Sequence, residues 1–270
     1  MILRLYTPCD YCLRKGPRWT VLTVLCLAMF TALGAAHANT ETLNTSDSIE
    51  NVMRLAGLGQ HEAAAALFER VKEERPDTIE SIHGHKVAVV YAAIGDRERH
   101  AAHCRWLMER YRDAILPTDA ERSVKGRLLF PSTDDPALFE HALERTRLAT
   151  DQAEARGEGE YLAWFEGSRG MAEYRSGNHA EAVAWLEKAG KADNLYITSL
   201  AAPFQAMAEY ARGNHERAEA LLTKARELAA QLPAPGTDEY LREWTDTLTS
   251  QIALREAERT IAGNTTASHE

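Results

Sequence analysis

The sequence predicts an all-α chain: about five helical hairpins stacked as an α-solenoid, with a C-terminal capping helix. Three observations carry this. Residues 171–189 and 207–225 are identical at twelve of nineteen positions across a fixed offset of 36. A period in the thirties is one helix–turn–helix unit whose apolar face needs a neighbour to cover it. The same grammar recurs in 55–76 and 91–111, whose glycines Gly59 and Gly95 are again 36 apart. Strand signals are thin, since no stretch alternates Val, Ile and Thr between turn residues.

The first element, 1–38, has the form of an export signal. Arg4, Arg14, Lys15 and Arg18 precede an apolar run from Thr20 to Ala36, and Ala36-His37-Ala38 supplies the small residues of a cleavage site. The expectation is cleavage near Ala38 and a periplasmic or secreted body. The alternative is an uncleaved membrane anchor over 20–36, at the lower edge of a spanning length. Cleavage leaves 27 basic and 39 acidic residues, a net charge of −12. Such a body does not suit nucleic acid, whose phosphates need a basic footprint. Cys9, Cys12 and Cys26 leave with the leader. Cys104 then stands alone, so no disulfide can form within the mature chain.

Two repeats are expected over 39–115, an irregular helical pair over 116–160, two further repeats over 161–235, a cap over 236–263 and an unstructured tail over 264–270. Each repeat turn has a glycine (Gly59, Gly95, Gly177, Gly213) able to end a helix in the left-handed conformation. Asp96, Asn178 and Asn214 follow as N-caps, with Glu181 completing a near capping box after Asn178. Small residues Ala64, Ala182, Ala189, Ala218 and Ala225 let paired helices approach, and Phe68, Leu186 and Leu222 fill the adjacent gaps. Pro76 closes the first unit. In the irregular pair, Thr118 to Glu121 reads as a capping box, Pro131 as a break and Asp135-Pro136 as a new start. After the interruption at 232–236, Thr237 caps a last helix. Leu241, Trp244, Leu248, Ile252, Ala253, Ala257 and Ile261 form its apolar stripe.

Gly followed five residues on by Ala, an upstream Tyr and a closing Pro resemble the tetratricopeptide repeat. The first, second, fourth and fifth pairs match, with Val52 and His100 standing where that family usually has small residues. A second, narrower resemblance covers about 100–263: 120–131, 170–189 and 244–261 are similar to the C-terminal helical tails of bacterial eukaryotic-like serine/threonine kinases. The kinase itself is absent, with no glycine-rich phosphate loop, His-Arg-Asp or Asp-Phe-Gly. The first resemblance implies a partner-binding groove lined by the first helix of each pair. The second implies a regulatory role in signalling.

Candidate chemistry is sparse. His100, His103 and Cys104 lie within one helical turn, so two or three could face one metal, but no further ligand at matching spacing completes four. The competing reading makes His100 a packing residue and Cys104 an inert buried thiol. His83 and His85 with Glu80 read as solvated. His61, His179 and His215 share one repeat position, which points to a structural role. No nucleophile elbow or isolated carboxylate pair is present. The expected function is therefore a non-enzymatic scaffold without cofactor or metal that binds a protein or peptide. The candidate groove residues are Trp164, Met171, Tyr174, Arg175, Met207 and Tyr210, aromatic and Met side chains flanked by Arg. Tyr174 and Tyr210 are equally readable as packing between repeats. A metal-binding protein is the remaining alternative.

Overall fold

The two most similar sequence segments build the same hairpin. In a computed structural model that describes residues 48–131, 136–157 and 159–265, α7 (Gly159–Arg175) turns into α8 (His179–Ala189), and α9 (Leu195–Ala211) into α10 (His215–Ala229). Both turns pass through a glycine in the left-handed region, Gly177 at φ 79° and Gly213 at φ 82°, where a side chain would be strained. The leader, Cys9, Cys12, Cys26 and Asp135 lie outside the described residues.

Three more pairs precede these. They are α1 (Ile49–Gly57) with α2 (His61–Glu74), α3 (Ser81–Ile94) with α4 (Arg97–Arg110), and α5 (Pro117–Lys125) with α6 (Pro136–Arg156). Short 3-10 turns span Pro76–Thr78 and Gly126–Leu129. The chain ends in α11 (Asp238–Thr265), which runs past the expected start of the tail. Among the described residues there is no strand, and no helix is long and apolar enough to cross a membrane.

The alanines expected at close approaches are all buried, as are Phe68, Leu186 and Leu222. Packing within a pair is close at Gly170, where an added Cβ would lie 2.5 Å from Leu186 Cγ. Gly84 meets Leu107 in the same way at 2.4 Å. Only a residue without a side chain permits these crossings.

The turn asparagines do not cap as expected. Neither the Asn178 nor the Asn214 side chain accepts a bond from the helix it precedes. Each reaches back instead: Asn178 Nδ2 donates to Glu173 Oε2 at 2.7 Å and Asn214 Nδ2 to Glu209 Oε2 at 2.6 Å. Glu173 and Glu209 are buried acids, and a buried carboxylate needs donors. Arg147 serves Glu173, and Arg212 and Arg217 serve Glu209. Asp96 does cap, accepting from the Arg99 amide at 2.9 Å, and Thr237 accepts from the Tyr240 amide at 3.1 Å. In α5 the expected capping box is missing: Leu116 takes the cap position, and Glu121 is spent on an ion pair.

The first helices of the pairs form one continuous row, in which α1 packs on α3, α3 on α5, α5 on α7 and α7 on α9. The last helix does more than cap an end. It packs on α9 and α10, on the Gly126–Leu129 turn, and on α1 and α3 at the start of the array. Its middle, from Trp244 to Ile252, is buried on nearly every side, so Thr245, Thr247, Thr249 and Ser250 are covered along with Trp244 and Leu248. Ser250 and Ser199 of α9 hydrogen-bond at 2.9 Å. Leu241 leaves the expected stripe and is exposed, while Tyr240 is buried in its place. Glu243 has non-helical backbone angles (φ −113°, ψ 18°), and this kink shifts the phase of the first turn.

Candidate partner-binding sites

The six residues expected to share one groove fall into separate settings. Met171 and Met207 are fully buried and cannot touch a partner. The Thr260 hydroxyl of α11 reaches Met207 sulfur at 3.8 Å, because α11 lies where the groove would be. Arg175 is committed to the same helix, donating to Glu256 through Nη1 and Nη2 at 2.5 and 2.6 Å and to the Leu128 carbonyl through Nε at 2.8 Å. Tyr174 and Tyr210 are half-buried against histidines of their own pairs, Tyr174 with His179 at 5.6 Å and Tyr210 with His215 at 4.7 Å between ring centroids. Tyr174 also meets Phe204 edge-on at 5.8 Å, so it packs between repeats while keeping part of its ring accessible. At these two positions the recurring histidine packs on the tyrosine of its own pair.

Trp164 lines a different cleft, about 210 Å³ in volume, with Glu121, Lys125, Tyr161 and Asp246. Lys125 Nζ sits 4.6 Å over the Trp164 ring and 3.2 Å from Glu121 Oε1. Ser168 Oγ also donates to Glu121. His85 lies in the same wall and is buried, against the expectation of a solvated side chain, and its Nδ1 has no hydrogen-bond partner. Burial first, and then the nearby Lys125, push the His85 imidazole well below its usual range, which keeps it neutral. Burial pushes the Asp246 carboxyl up. The sequence offered only the Glu121–Lys125 spacing of four as a signal for this cluster.

Continuous with that cleft is an exposed apolar face. Tyr161 also borders a second hollow with Leu116 and Pro117. Ile115, Leu116 and Tyr161 are 75%, 51% and 40% exposed, three of the five large hydrophobic side chains exposed among the described residues. Apolar side chains gathered in this way mark interaction sites more often than scattered ones do.

The histidine–cysteine cluster is internal. His100 Nε2 bonds to the Gly126 carbonyl at 3.0 Å and His103 Nε2 to the Gly84 carbonyl at 2.8 Å. Cys104 Sγ lies 3.7 Å from His100 Nε2. Burial lowers His100 to about 4 and His103 to about 3, and raises the Cys104 thiol to about 12. Neutral imidazoles tied to backbone and an inert thiol are packing groups. Among the described residues no group of three or more His, Cys, Asp or Glu side chains is arranged to hold a metal.

Comparison with protein-family models, curated proteins and solved structures finds no match for this chain.

Proposed function

We propose that this chain is an exported, non-enzymatic scaffold of tetratricopeptide type that binds a protein or peptide partner. The reading draws on the 36-residue repeat, the export-type leader and the helix pairs in which that repeat is realised. The partner does not lie along the inner row of first helices, since α11 already occupies that ground. It docks on the exposed face formed by Leu116, Tyr161 and Trp164. The observation that carries this is the contiguity of those side chains: Leu116 and Tyr161 share one hollow, and Tyr161 and Trp164 share the next. Aromatic anchors at such a face concentrate binding energy, roughly 2 kcal/mol or more for each one truncated.

The test is site-specific photocrosslinking in cells of the source type, with a photoreactive phenylalanine at Tyr161 and, as control, at the exposed Glu216. A discrete crosslinked species from Tyr161 and none from Glu216 is the expected result. Equal crosslinking from both positions, or none from Tyr161, removes this docking face. Fractionation of the same cells should place a chain beginning at Asn39 outside the cytoplasmic membrane.

A further inference from the structure

On another side of the molecule, four elements converge on a cleft of about 730 Å³. The start of α4 gives Arg97 and His100, the 3-10 segment and its exit give Arg127 and Phe130, α6 gives Phe139, and the α7–α8 turn gives Tyr174, Arg175 and His179. Its volume falls in the ordinary range of small-molecule sites, roughly 300–1,000 Å³. Three guanidiniums face it, of which Arg175 is already neutralised by Glu256, and among the described residues no carboxylate lines it. That is a local reversal in a chain whose net charge is −9.

The cations are held in place. Arg97 is exposed, lies 5.4 Å over the Phe130 ring, and makes no hydrogen bond or ion pair among the described residues. Arg127 is buried, 4.2 Å over Phe139, with Nη1 donating to the Phe130 carbonyl at 3.2 Å. Arg175 is fixed from behind by Glu256. Guanidiniums stacked on rings are pre-organised for a planar oxyanion, so little entropy is lost on binding. His179 Nδ1 is shielded from solvent and meets no hydrogen-bond partner. The first turn of α8 opens on the same space through His179 and adds partial positive charge, whereas that of α4 is already capped by the Asp96 carboxylate. A neighbouring hollow of about 240 Å³ shares Arg97 and Phe130 and is lined also by Arg259 and Glu256.

We infer that this cleft binds a small organic anion, a phosphate or carboxylate carried on an aromatic or apolar body. The oxyanion sits against Arg97 and the α8 turn, and the body against Phe130, Phe139 and Tyr174. This site is separate from the Tyr161 docking face, so either reading can fail without the other.

The experiment is calorimetric titration of the full chain with phenyl phosphate, benzoate, inorganic phosphate and benzyl alcohol. Phenyl phosphate or benzoate should bind saturably, one per chain, with benzyl alcohol weaker by about tenfold or more. Whichever of the two binds more tightly identifies the oxyanion. Inorganic phosphate should bind more weakly than phenyl phosphate, since it leaves the rings uncovered. Arg97→Ala removes an exposed side chain and should weaken binding by about tenfold. Arg105→Ala, away from the cleft, should leave it unchanged. Phe130→Leu provides a second probe of the body-binding wall and should weaken phenyl phosphate more than inorganic phosphate. No saturable binding of either aromatic anion in the millimolar range overturns the assignment, as does equal binding to the Arg97→Ala chain.

Discussion

Replacing Glu256 with Gln should loosen the last helix from the array. The Glu256 carboxylate takes both terminal nitrogens of Arg175, and the two side chains are only 11% and 4% exposed. Gln keeps one acceptor oxygen and loses the charge, leaving a guanidinium buried between the Tyr174 and Phe204 rings, 5.4 and 5.1 Å from their centroids. Breaking a buried pair from one side costs about 3–5 kcal/mol, and the retained acceptor places Glu256→Gln near the lower end. About 3 kcal/mol lowers the thermal midpoint of a domain this size by roughly 6–12 °C. Circular dichroism melts and urea titrations measure this directly. The double variant Arg175→Met, Glu256→Leu removes both charges together and should recover most of the loss, because an apolar pair of similar volume carries no desolvation cost. A loss below about 0.5 kcal/mol for Glu256→Gln, or a double variant as destabilised as the sum of the singles, refutes the claim that this pair seats α11.

Two further outcomes follow from the core. Gly170→Ala should cost about 1–3 kcal/mol, since the new methyl would sit 2.5 Å from Leu186 Cγ and overpacking outweighs the gain in helix propensity. In a Leu186→Ala background the same change should be neutral or stabilising, and an equal loss in both backgrounds, measured by urea titration, rules out the contact as the cause. Acid should destabilise the fold from about pH 6.5 downward. His100, His103 and His85 are depressed by burial, so the unfolded chain takes up protons first. Their contribution is complete above about 6.5 and is lost as pH falls toward 4 for His100 and 3 for His103. Asp246 and Glu166, pushed upward by burial, work in the opposite direction as two groups against three. Stability that rises between pH 7 and 5 contradicts this, and a His100→Gln chain should show a shallower decline.

The helix pairs were readable because their signals are local: a turn glycine, small residues at fixed spacing and a repeated phrase. What the sequence did not reveal depends on partners distant in the chain. Asn178 and Asn214 look like caps until the buried Glu173 and Glu209 behind them are seen to need donors. Met171 and Met207 look like groove residues, but both are fully buried, Met207 beneath Thr260 of α11. Leu241 fits the apolar stripe of an ideal helix, and only the kink at Glu243 turns it outward. Of the candidate residues, Trp164, Tyr174 and Tyr210 are half-buried, and Trp164 and Tyr174 line separate clefts. The cationic cleft was hidden because Arg97, Arg127, Phe139 and His179 come from four different elements; Arg97 and His179 share the position two after the turn glycine, but Arg127 and Phe139, which complete the cleft, lie outside the repeated phrase.

The meeting of α11 with α1 has a consequence for how the molecule is made. Trp244 packs on Gly57, 187 positions earlier in the chain, with an added Cβ at Gly57 only 3.2 Å from the indole. Stacked-hairpin proteins ordinarily tolerate gain or loss of a unit, because each unit answers only to its neighbours and folding spreads along the stack. Here the head of the chain lacks part of its cover until the tail arrives, and long-range contacts of this kind slow folding. A nascent or nicked chain that lacks 238–265 therefore presents bare apolar surface on α1, α3 and α9, a target for proteases and chaperones. Inserting a sixth hairpin would part Trp244 from Gly57.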